Sequence, residues 1–119
     1  GAEVTGMGQP GQLGRYPLHF HHMYDSGAGS YVTDTSLHHN FQRGVVLHRT
    51  NGVRVADTVS FDTFGHMYYL EDGLEIHNRF ERNLAVLARQ VTDPANRLED
   101  PEAVDQHLQI SRLRALEFQ

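Results

Sequence analysis

Short apolar runs alternate with polar positions along most of the chain, and the same short patterns return at regular intervals. Tyr31-Val-Thr-Asp-Thr35 is answered by Arg54-Val-Ala-Asp-Thr58 and then by Glu75-Ile-His-Asn-Arg79. Each has Val or Ile second and Asp or Asn fourth; the spacing is 23 residues from Asp34 to Asp57 and 21 from Asp57 to Asn78. A second block recurs out of phase with the first: Tyr16-Pro-Leu-His19, Val45-Val-Leu-His48, Tyr68-Tyr-Leu-Glu71 and Ala85-Val-Leu-Ala88. Two short strands per repeat of about 20 to 25 residues is the pattern of a parallel β-helix, whose coils bury one continuous core by stacking. Asn51-Gly52 and Asp72-Gly73 supply turn signals where coils bend, and Met23 to Ser30 ("MYDSGAGS") reads as a surface loop. A small β-sandwich also has evenly spaced strands, but it does not require residue-by-residue matches between repeats.

The pattern therefore predicts an all-β chain, a parallel β-helix of about four coils over residues 1–92. From Val91 the repeat fades. Asp100-Pro101 places a helix N-cap before a proline suited to the first helical position. Val104, Leu108, Leu113 and Leu116 then predict an amphipathic C-terminal α-helix over about 101–117. Segment 93–119 is expected to be a linker and a helix that packs on the solenoid or caps its open end.

The repeat gives meaning to "YPLHFHH" (Tyr16 to His22). Stacking Leu18, Leu47, Leu70 and Leu87 in the interior turns His19, His21, His48 and Glu71 outward. In that register His19, His48 and Glu71 are equivalent positions on successive coils, with His21 beside His19. Coils about 4.8 Å apart and i, i+2 neighbours about 6.7 Å apart let imidazoles converge on one cation at roughly 2.1 Å from each nitrogen. His19, His21 and His48 are thus candidate ligands of a divalent metal, zinc or similar. Glu71 is a fourth ligand or a general base; such a site with an open position activates water. An outward histidine ladder that is only a solvated face is the competing reading. Arg49 and Asp72 fall in the inward phase and are read as corner residues past the strand ends.

The other histidines carry weaker signals. His66 follows Gly65 at a strand start and can reach the same face, whereas His38 and His39 read as a surface corner and His77 and His107 as structural or exposed. Arg15 and Arg43 precede equivalent strands, where they can meet a sugar carboxylate or close a plain salt bridge.

Composition narrows the partners. The 119 residues carry a net charge of -5, and all ten cationic side chains are arginine. No basic stripe exists to displace counterions, so nucleic acid is not an expected partner. Nine histidines would reverse the sign of the net charge if most were protonated. Without cysteine there is no disulfide, thiolate metal site or cysteine nucleophile. Neither a signal peptide nor an apolar run of membrane-spanning length is visible, so membrane insertion is not expected. Phosphate-loop, nucleophile-elbow and zinc-finger spacings are missing as well.

Three stretches, "GMGQPGQLGRYPLHFH" (Gly6 to His21), "TSLHHNFQRGVVLHRTNG" (Thr35 to Gly52) and "DTFGHMYYLEDG" (Asp62 to Gly73), resemble the cell-migration-inducing and hyaluronan-binding protein family. That family has membrane-anchored cell-surface and fibrocystin-like relatives, and the similarity covers roughly residues 3 to 90. The resemblance implies a right-handed β-helix from an extracellular or cell-surface protein that binds or depolymerises hyaluronan, an acidic polysaccharide. It carries the family's motif positions onto Arg15, His19, His21, Arg43, His48, His66, Glu71 and Asp72. Glu71, His66 and Asp72 are then the candidate acid or base groups, Arg15 and Arg43 the substrate contacts. The alternative is a non-catalytic structural or interaction module that forms homo-oligomers through exposed coil ends.

Overall fold

A computed structural model describes residues 1–90 of the chain. Ten strands follow in order: β1 (Ala2–Thr5), β2 (Leu18–Tyr24), β3 (Tyr31–Thr33), β4 (Thr35–Asn40), β5 (Val45–Thr50), β6 (Arg54–Ala56), β7 (Val59–Phe64), β8 (Tyr68–Leu70), β9 (Arg79–Glu81) and β10 (Leu84–Arg89). They form three parallel sheets: A, β1-β4-β7-β10; B, β2-β5-β8; and C, β3-β6-β9. Every third strand returns to the same sheet, which is the winding of a β-helix. The described residues make three complete coils and the first strand of a fourth, rather than about four coils. The helix expected over 101–117, and the linker before it, lie outside the described residues.

Alternation on the strands fills the interior. Leu37, Val45, Leu47, Val53 and Val55 are buried to within 1%, and Val4, Leu18, Phe20, Val32, Tyr68 and Leu70 pack against them. Burying each such side chain stabilises the coil stack by about 1.5–3 kcal/mol. The observed ladders place Phe20, not Leu18, beside Leu47 and Leu70. Leu87 belongs to sheet A and to a different ladder altogether. Tyr31 pairs with Arg54 as the repeat predicts, but the third member is Arg79 rather than Glu75.

Two recurring devices shape the coils. Left-handed residues stack from coil to coil: Asp34, Asp57 and Arg82 in one column, His39, Asp62 and Leu87 in a second, His22 and Arg49 in a third. Asp, Asn and His tolerate this conformation better than other non-glycine residues. Asparagines clamp adjacent coils: Asn40, Asn78 and Asn83 each accept a backbone N–H through Oδ1 and donate from Nδ2 to a carbonyl of the preceding coil. That satisfies corner backbone groups that no ladder reaches. Coil contact is close enough at Gly44 that a Cβ there would lie 2.5 Å from the Met67 carbonyl oxygen.

Segment 6–17 folds over the outside of sheet B, tied by Gln9 N–H to the Arg15 carbonyl and Phe41 N–H to the Met7 carbonyl. It covers a second small core of Tyr16, Val46 and Tyr69. Val46 points outward yet is 0% exposed. Among the described residues no helix is long and apolar enough to cross a membrane.

Candidate functional site

Sheet B presents the candidate site on its outer face. Strand alternation puts His19 and His21 on the same side of β2, and the β2–β5 ladder sets His21 opposite His48. His19 therefore lies opposite Val46, two residues away from His48, the partner the repeat predicts. The slip is two residues along the strand, so the face is unchanged and the three imidazoles still converge. One ring nitrogen from each of His19, His21 and His48 lies within 4.8 Å of the others.

The hydrogen bonding prepares His19. Its Nδ1 lies 3.1 Å from the Gly14 carbonyl oxygen, which only accepts, so Nδ1 carries the hydrogen and Nε2 the lone pair. Burial lowers the pKa of His19 against smaller raising effects of the Gly14 hydrogen bond and the Glu71 carboxylate, so the ring is neutral at pH 7. His19 Nε2 is buried and has no hydrogen-bond partner. It faces Glu71 Oε2 at 3.8 Å, an oxygen that is itself buried and without a hydrogen bond. His48 Nδ1 approaches the same oxygen at 3.4 Å.

The other Glu71 oxygen is fully engaged. Tyr16 donates its hydroxyl hydrogen to Glu71 Oε1 at 2.9 Å, and Arg43 Nη1 lies 2.8 Å from the Tyr16 hydroxyl and 3.4 Å from Glu71 Oε1. Arg43 is 3% exposed, and its guanidinium carbon sits 4.2 Å from the Tyr69 ring centroid and 5.3 Å from that of Tyr16. This buried arginine is spent on Glu71 and the two aromatic rings and does not face solvent, as a substrate contact would require. Burial pushes the Tyr16 phenol up to about 12, with Arg43 pulling the other way and Glu71 adding to the rise.

Asp72 lies at the margin. Its Oδ2 is 3.4 Å from His48 Nε2 and accepts a 2.8 Å hydrogen bond from Arg49 Nε, which holds the Asp72 carboxyl below the usual range. Each nitrogen of His48 thus faces a carboxylate. His66 stacks on Tyr69 with ring centroids 4.6 Å apart and is not one of the three converging imidazoles. Arg15 is exposed and, with Leu13, Gly14, His19 and His21, lines an open depression of about 380 Å³. Repeat reasoning missed Tyr16 and Tyr69 as members of the cluster. The available signal was apolar or aromatic residues at 46 and 69, on the face that alternation assigns to solvent.

A family model described as the CEMIP beta-helix matches residues 1–114. The chain belongs to the CEMIP β-helix family. Over 96 residues it is 48% identical to a cell surface hyaluronidase of Danio rerio and 43% identical to the cell surface hyaluronidase CEMIP2 of Homo sapiens, in each case 76% of this chain. A G8 domain-containing protein of Dictyostelium discoideum is 42% identical over 95 residues, 80% of the chain. The matched regions are 7–8% of these relatives' lengths, so the chain corresponds to a small part of much longer proteins. No solved structure matches it significantly.

Proposed function

We propose that this CEMIP-type β-helix segment contributes a metal-assisted binding surface for hyaluronan or a similar acidic polysaccharide at the cell surface. The reading draws on the CEMIP relatives, two of them named as cell surface hyaluronidases. The observation that carries the site is the pair His19 Nε2 and Glu71 Oε2, both buried and without a hydrogen bond, 3.8 Å apart and beside His48 and His21. Two buried polar atoms without hydrogen bonds are costly unless a ligand completes them. A divalent cation held by His19, His21 and His48, with Glu71 Oε2 as fourth ligand or base, satisfies both. Three nitrogens and a carboxylate suit zinc or a similar ion. Tyr16 and Arg43 hold Glu71, Asp72 orients His48, and exposed Arg15 meets the sugar carboxylate.

Two measurements test this. Zinc should bind with micromolar or better affinity, and His48→Ala should weaken binding at this site by about tenfold or more, or 1.4 kcal/mol. Immobilised hyaluronan oligosaccharides should retain the zinc-loaded chain and release it on chelation, with retention reduced in Arg15→Ala. Absence of retention with and without metal sinks the carbohydrate reading.

A second reading, an interaction module joined through an exposed coil end, is favoured by β10, the last strand among the described residues. Leu84, Val86 and Leu87 are 54%, 40% and 55% exposed there. It requires a mass that rises with concentration in sedimentation equilibrium; a monomer at all concentrations counts against it.

A further inference from the structure

Another group of histidines lies on sheet A, away from the sheet B face. Consecutive strand residues ordinarily point to opposite sides, but His39 adopts φ 52 and breaks the alternation. His38 and His39 consequently meet, with ring centroids 4.8 Å apart at 85° and Nδ1 to Nδ1 only 2.7 Å. The other nitrogen of each ring is turned to a carboxylate. His38 Nε2 lies 2.7 Å from Glu3 Oε1 on β1, and His39 Nε2 lies 3.5 Å from Asp62 Oδ2 on β7. Asp62 is 5% exposed and takes hydrogen bonds on both oxygens from Arg89 of β10.

We propose that His38 and His39 form a second divalent-metal site, with their Nδ1 atoms as ligands and Glu3 and Asp62 as the orienting carboxylates. Glu3 accepts, so His38 Nε2 carries its hydrogen toward it, and the 2.7 Å Nδ1–Nδ1 contact is then a hydrogen bond that His39 donates. A divalent ion between the rings takes the place of that hydrogen and is held by both Nδ1 lone pairs. In the metal-free pair the His39 Nε2 lone pair is left 3.5 Å from Asp62 Oδ2; an ion bound at His39 Nδ1 moves the ring hydrogen to Nε2, where Asp62 can accept it. Two nitrogens about 2.1 Å from one tetrahedral ion stand about 3.4 Å apart, so the rings need part by about 0.7 Å. Carboxylate, imidazole and metal in line is the usual outer-shell arrangement of ligating histidines. Thr5 Oγ1, 3.4 Å from His38 Nδ1, offers an oxygen donor. The side chains of His38 and His39 are 23% and 60% exposed, which leaves room for water ligands. A nitrogen-rich, thiolate-free pair suits zinc, copper(II) or nickel(II).

The test is a calorimetric titration of zinc into the metal-free 119-residue chain. Two ions per chain are expected. His39→Asn, a residue that tolerates positive φ, should remove one ion and keep the other, the retained ion also reporting an intact fold. Glu3→Gln should weaken the His38–His39 site by about 10-fold or more without changing the sheet B site. An unchanged ion count in His39→Asn overturns the second site. The two sites fail separately: a single ion that survives His39→Asn but not His21→Ala leaves only sheet B. A single ion with the opposite response leaves only sheet A, and no bound zinc overturns both.

Discussion

The two histidine groups use the same side chain in opposite ways. On sheet B, His19, His21 and His48 are gathered by regular geometry, two from one strand by alternation and one from the next coil by register. On sheet A, His38 and His39 are gathered by an irregularity, a left-handed residue that puts sequence neighbours side by side. Their supports differ as well. The sheet B group rests on a buried platform of Tyr16, Val46, Tyr69 and Arg43, whereas the sheet A group lies on an open face where Val59 and Phe61 are 41% and 39% exposed. A site built on a covered face is tied to folding; one on an open face can be altered with little structural cost.

Breaking the platform should have the largest effect. Arg43→Ala leaves the Glu71 carboxylate without its cation in a buried setting and should destabilise the chain by about 3–5 kcal/mol in denaturant unfolding. A change no larger than that of His39→Asn would remove the contrast between the two faces. Next come two outward valines. Val46→Ala should cost about 2 kcal/mol, since it deletes buried methyl groups and leaves a cavity, whereas Val59→Ala should stay within about 0.5 kcal/mol. Equal costs would mean that segment 6–17 does not cover sheet B in solution.

The smallest effect is silent at neutral pH. The folded-state pKa of Tyr16, about 12, stands above its ordinary value of 10.0. The folded chain therefore keeps a proton that the unfolded chain loses, so this contribution is intact below pH 10 and falls as pH rises from 10 toward 12. The difference in phenolate absorbance between wild type and Tyr16→Phe should develop near pH 12; development near pH 10 would place Tyr16 in solvent.

Much of this architecture is legible in the repeats. Val at the second position of Tyr31–Thr35 and of Arg54–Thr58, and the residue-by-residue match of the two blocks, follow directly from coils that stack in parallel. The outward direction of His19, His21, His48 and Glu71 is legible too, because side-chain direction has a period of two and a two-residue slip preserves it. The slip itself was not avoidable from "Leu-His" alone, since Phe20 fills the core as well as Leu18 does. Nor could Leu87 be assigned: it sits in the left-handed column of sheet A with His39 and Asp62, where alternation is interrupted. The same interruption turns the apparent corner His38-His39 into part of β4.

By itself the sequence determined the approximate period of the coil, most of the residues that fill it and the face on which His19, His21 and His48 lie. Those properties are local: they follow from alternation and from the return of the same pattern. Tertiary structure decided which histidines meet, which carboxylate serves them, and that Arg43 supports Glu71 from within. Convergence depends on inter-coil register and on the cover supplied by segment 6–17, set jointly by residues far apart in the chain. No single repeat contains that information.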